Sequence, residues 1–133
     1  MVTSMSLTKL INLRGASPAL ALLAGAALTT PGAFAHAFLD HATPAVGSTV
    51  HGSPGDVKVW FTQELEPAFS NLQVVDQNGA QVDKKNNAID AGDKTLLKVS
   101  LPGLPPGKYK VVYHVLSVDT HTTDGTFTFE VAP

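Results

Sequence analysis

Period-two alternation of apolar and polar residues, in short runs cut off by glycine, proline, asparagine and aspartate, is what most restricts the fold of this chain. Successive side chains of an extended strand point to opposite faces. Each run therefore yields one apolar stripe and one polar stripe, as a half-buried strand requires. Val57, Val59 and Phe61 alternate with Lys58, Trp60 and Thr62, and Leu97, Val99 and Leu101 alternate with Lys98 and Ser100. Tyr109, Val111, Tyr113 and Val115 share a face of a longer run. Phe127, Phe129 and Val131 share a face of the last, opposite Thr126, Thr128 and Glu130. Helical periodicity is hard to find after residue 36.

Turn signals fall between the runs, at Pro44 to Gly47, Gly52 to Gly55, Asn78-Gly79, Asn86 to Asp93 and Pro102 to Gly107. Asn78-Gly79, between Leu72-Gln73-Val74-Val75 and Ala80-Gln81-Val82, is the sharpest hairpin signal because both residues tolerate positive φ. About seven short strands in roughly 100 residues predict an all-β domain, a small immunoglobulin-like antiparallel β-sandwich. The Cys-Trp-Cys hallmark of antibody domains is missing, so the prediction rests on strand number and spacing. Trp60, out of phase with its apolar neighbours, is expected to pack under a loop or in the opposing sheet.

Residues 1–35 differ in composition from the rest. Lys9 and Arg14 are their only charges, an apolar run leads from Ala19 to Leu28, and Ala33-Phe34-Ala35 follows. This is the layout of a secretory signal with its small-x-small cleavage site. The run falls short of the roughly 20 residues that span a bilayer, and Pro31-Gly32 interrupts it. Cleavage after Ala35 is therefore expected, leaving one exported domain, residues 36–133, with no stable membrane insertion. The formal net charge of -2 argues against a nucleic-acid partner, which demands a clustered basic surface. Cysteine is absent, and both methionines, Met1 and Met5, lie in the segment to be removed. The mature domain thus has no disulfide and no sulfur ligand, so soft Cu(I) is poorly served.

Two histidines stand out among His36, His41, His51, His114 and His121. Cleavage after Ala35 makes His36 the first residue and gives it a free α-amine, whose unperturbed pKa of about 7.7–8.0 lets a metal displace its proton near neutral pH. Amine and imidazole of one residue then chelate together, an arrangement known as a histidine brace. His121 follows Asp119 by two, so on an extended chain both side chains face one point. Three nitrogens and an oxygen without sulfur fit the tetragonal preference of Cu(II), with Zn(II) as the competitor. An Asp-x-His pair alone is more often an ordinary surface pair. His114 is expected to be structural, or else an outer or extra ligand, and His41 and His51, near turn signals, to be ordinary exposed histidines.

These residues resemble those of the CopC-like (PcoC-like) periplasmic copper-resistance proteins. The resemblance runs from His36 and Ala42-Thr43-Pro44-Ala45-Val46-Gly47-Ser48 through Val59-Trp60-Phe61-Thr62 and Pro106-Gly107-Lys108-Tyr109-Lys110-Val111 to Ser117-Val118-Asp119-Thr120-His121 and Gly125-Thr126-Phe127-Thr128-Phe129. It implies a periplasmic protein that binds one Cu(II) per chain through His36, Asp119 and His121. It also implies a role in copper tolerance or supply, with a CopD-like inner-membrane copper-transport protein as partner. Where some members place a Glu near the metal this chain has Gln63, with Glu64 next to it, and the methionine-rich stretch of Cu(I)-binding members is missing.

Two other classes compete. A histidine-brace oxidative enzyme is disfavoured because the Asp119 carboxylate favours Cu(II) over Cu(I) and the domain offers little aromatic surface for a glycan. No G-x-S-x-G elbow supports hydrolysis, and the chain is read as a non-enzyme. A non-metal immunoglobulin-like interaction module would not depend on His36 at all.

Overall fold

The apolar stripes of the sequence become the facing inner surfaces of two sheets. In the computed structural model, which describes residues 37–133, eight strands run in chain order: β1 (Leu39–Thr43), β2 (Thr49–His51), β3 (Asp56–Phe61), β4 (Asn71–Val75), β5 (Ala88–Ile89), β6 (Leu96–Ser100), β7 (Gly107–Leu116) and β8 (Thr122–Ala132). One sheet has the order β1-β3-β6-β5, the other β2-β8-β7-β4. A single 3-10 turn, Pro67–Phe69, precedes β4. The expected signal segment 1–35 and His36 lie outside the described residues.

Between the sheets lie Val57, Val59, Leu97, Val99, Leu72, Val74, Val111, Val115, Phe127, Phe129 and Val131, all buried. Each buried Val, Leu or Phe contributes about 1.5–3 kcal/mol relative to leaving it in water. Aromatic rings tie the sheets and hairpins further. Tyr109 stacks on Phe129 with centroids 5.6 Å apart, and Phe61 meets Tyr113 edge-on at 5.3 Å. The all-β sandwich expected from alternation is thus the observed fold.

Four details differ from the sequence reading. First, β2 and β8 pair in parallel, Thr49 with Glu130 and His51 with Ala132, while the other pairings are antiparallel. The chain leaves β1, turns at Gly47, whose N–H donates to Thr128 O at 2.7 Å, and enters the other sheet alongside its last strand. Second, β5 forms inside the Asn86 to Asp93 turn signal, too short to leave an alternation pattern. Third, the segment after Asn78-Gly79 makes only an isolated bridge, Val75 with Gln81. Only Gly79 uses positive φ there, and the buried Asp83 carboxylate, not a backbone carbonyl, accepts the Val74 N–H at 2.8 Å. Fourth, of the two places expected for Trp60 the opposing sheet is not the one taken: it lies on the outer face of its own sheet, beside the loop before β6. It stacks on His41 of β1 with centroids 4.4 Å apart and helps to keep the carboxyl of Asp93, in that loop, below the usual range.

Candidate metal centre

β7 and β8 are the longest strands, and the turn joining them carries Asp119 and His121. The strand ends at Leu116, so the side chains are brought together by a turn and not by strand alternation as the sequence reading supposed. Ser117 N–H donates to His121 O at 3.0 Å, and Thr120 N–H donates to Ser117 O at 2.9 Å. Thr120 takes φ 73°, a left-handed conformation that costs a β-branched residue roughly 1–2 kcal/mol. The turn places Asp119 Oδ1 3.3 Å from His121 Nδ1. Both side chains are about one-third exposed, although His121 Nδ1 itself is shielded from solvent.

Ser117 is fully buried beneath the pair. Its Oγ donates to Asp119 Oδ1 and lies 3.2 Å from His121 O. That hydrogen bond is the main reason the Asp119 carboxyl stays below the usual carboxylate range; partial burial opposes it, and the hydrogen bond and charge of His121 reinforce it. The site therefore presents a fixed, ionised oxygen donor beside an imidazole.

The loop after β3 underpins the turn. Leu65 bridges to Ser117, Val118 N–H donates to Glu64 O at 3.0 Å, and Glu66 N–H donates to Leu116 O at 2.8 Å. Leu116 N–H donates to Ser70 Oγ at 3.2 Å. Glu64 thus contributes its backbone to the site region while its side chain is exposed, and Gln63 is half-buried. These supports, and the role of Ser117, were invisible to spacing arguments; the Ser of the S-x-D-x-H string was the one available signal.

His114 projects from the outer face of β7, exposed, and hydrogen-bonds Asp124 directly across on β8. It forms a cross-strand surface pair, in keeping with the structural reading. His41, on β1, is exposed and bonded to Asp40 at 2.8 Å, and His51 is exposed at the end of β2, both as expected of surface histidines. Gly125 of the same string is explained by packing, because the Tyr113 ring lies across it from the facing position on β7.

Among the described residues no cluster of three or more His, Cys, Asp or Glu side chains could hold a metal ion. The described part of the expected ligand set is the pair Asp119 and His121. Ala37, next in sequence to His36, is fully buried, and Phe38 O accepts the Thr62 N–H at 2.9 Å. The pair offers one carboxylate oxygen and one imidazole nitrogen, donor types that suit a borderline divalent cation, and residues 37–133 contain no sulfur.

A family model described as the CopC domain matches residues 39–132. Protein YobA of Escherichia coli strain K12 is 36% identical over 116 residues, covering 85% of this chain and 91% of that protein. Copper resistance protein C of Pseudomonas syringae pv. tomato is 32% identical over 116 residues, covering 83% and 91%. The crystal structure of CopC from Methylosinus trichosporium OB3b superposes with a TM-score of 0.69 at 35% identity, covering 74% of this chain and 95% of that one.

Proposed function

The chain belongs to the CopC family, and on that footing we propose that it is a periplasmic protein that binds one Cu(II) ion and buffers, carries or delivers it without catalysing a reaction. The observation that carries this reading is the Asp119–His121 pair at 3.3 Å, with the Asp119 carboxylate held ionised and oriented by a buried serine on the strand junction. A similar protein bearing the name copper resistance protein C supports the choice of metal.

In this reading residues 1–35 are a signal segment, and its removal frees the His36 amine. His36 then supplies amine and ring nitrogens while Asp119 and His121 complete a sulfur-free N and O set suited to Cu(II). The anionic Asp119 favours the oxidised ion, so the copper is held as cargo and not cycled. Delivery to a CopD-like membrane partner fits this role.

The test compares a chain starting at His36 with one carrying a single additional residue ahead of it. Competition titration and electron-spin-resonance spectra should show Cu(II) affinity lower by orders of magnitude in the extended form, with the melting temperature of the metal-free protein unchanged. Equal affinities would remove the brace. An unaltered spectrum for His121→Ala would remove that ligand.

A further inference from the structure

Beside the Asp119 turn the surface opens into a cleft of about 480 Å³, between residues 64–70 and the segment 87–94 that contains β5. Leu65 and Ile89 line it, and Val118, the chain neighbour of Asp119, closes one side. Of the four exposed large hydrophobics among the described residues, Phe38, Phe69 and Val118 lie at this end of the sandwich. Exposed apolar groups gathered at one end mark a contact surface more often than scattered ones do.

The cleft also has a charge pattern. Asp90 is neutralised by Lys98 at 2.8 Å, whereas Glu64 and Glu66 have no ion pair among the described residues, and Lys94 is the one cation on the lining. β5 is the outermost strand of its sheet, and both its residues, Ala88 and Ile89, line the cleft. An outer strand beside apolar pockets is the arrangement that accepts an extended peptide by strand addition, with pockets for alternate side chains.

We propose that this cleft docks an extended segment of a protein partner in which apolar side chains alternate with lysine or arginine. The apolar side chains fill the space over Leu65 and Ile89, and the cations meet Glu64 and Glu66. The proposal rests on the copper reading for its purpose. The Val118 N–H is bonded to Glu64 O, so a segment seated there touches the backbone that holds Asp119, and copper exchange and docking share one end of the molecule.

The test uses two capped synthetic peptides, Lys-Val-Lys-Val-Lys and Glu-Val-Glu-Val-Glu, titrated into the isotope-labelled, metal-free chain while amide shifts are followed. The lysine peptide should shift residues 64–70, 87–91 and 118, and the glutamate peptide should not. Glu64→Lys with Glu66→Lys should weaken the lysine peptide at least tenfold, and Val118→Ser should weaken it with both carboxylates intact. Among the described residues these side chains make no hydrogen bond or ion pair, so the variants should keep the wild-type amide spectrum elsewhere. Shifts spread over the acidic surface, no shifts, or shifts that appear on concentrating the chain without peptide would each overturn the proposal; the last would point to a second copy. Cu(II) titration of the same proteins separates the two readings. A chain that takes up no Cu(II) ends the copper reading, while the peptide result still decides the cleft.

Discussion

Replacing Gly125 by alanine drives a methyl group into Tyr113. An ideal Cβ at position 125 would overlap the Tyr113 hydroxyl and ring and stand only 2.9 Å from Cε2. The clash involves the far end of a side chain, so the ring can swing aside, but it is half-buried and edge-packed on Phe61 at 5.3 Å. Losing that aromatic contact costs about 0.5–1.5 kcal/mol, and overfilling a packed site costs about 1–3 kcal/mol in total. Alanine recovers up to roughly 1 kcal/mol of the backbone entropy that glycine loses in a strand. The expected net loss is about 1–2 kcal/mol, a fall in melting temperature of roughly 4–16 °C for a domain of this size. Thermal and urea melts of a double-mutant cycle with Tyr113→Ala decide the cause. With the ring removed, Gly125→Ala should become neutral or stabilising. An equal penalty in both backgrounds would refute the argument and leave the glycine required for some other reason.

Other consequences follow from the same geometry. Ser117→Ala should weaken Cu(II) binding by roughly 10- to 100-fold, as loss of a residue that orients a ligand does, with an altered electron-spin-resonance spectrum and the fold retained; competition titration checks it. Asp83→Ala should cost about 1–3 kcal/mol in urea melts by stripping the Val74 and Lys85 N–H groups of their acceptor. Acid should destabilise the metal-free domain through three carboxyls held below the usual range: Asp90 by its Lys98 hydrogen bond, Asp93 by Thr95 and Asp119 by Ser117. A lowered folded pKa gives stability that is fully present above the unfolded value of about 3.9 and is lost as pH falls through the folded value. Melting temperature should therefore drop below about pH 4, and less steeply in Lys98→Met.

Much of this molecule is legible because strand alternation is a local property. Val57, Val59 and Phe61 declare their buried face without knowledge of what covers it, and β3, β6, β7 and β8 were visible in this way, whereas β1 was not. Asp119 and His121 were also legible, as residue types at a spacing, but the reason assigned to their convergence was a strand where a turn exists. Thr120 in a left-handed conformation leaves no mark in composition, because its strain is tolerated only by contacts from elsewhere in the chain.

The chain by itself determined the all-β class, the inward faces and the sulfur-free donor chemistry, since each depends on residue identity and on neighbours one or two positions away. Tertiary structure alone decided that Ser117 anchors Asp119, that Leu65 and Ser70 support the turn from a different loop, that β2 runs parallel to β8, and that Gly125 makes room for Tyr113. Those facts join residues far apart in sequence, and only the packing of the two sheets sets the distances between them.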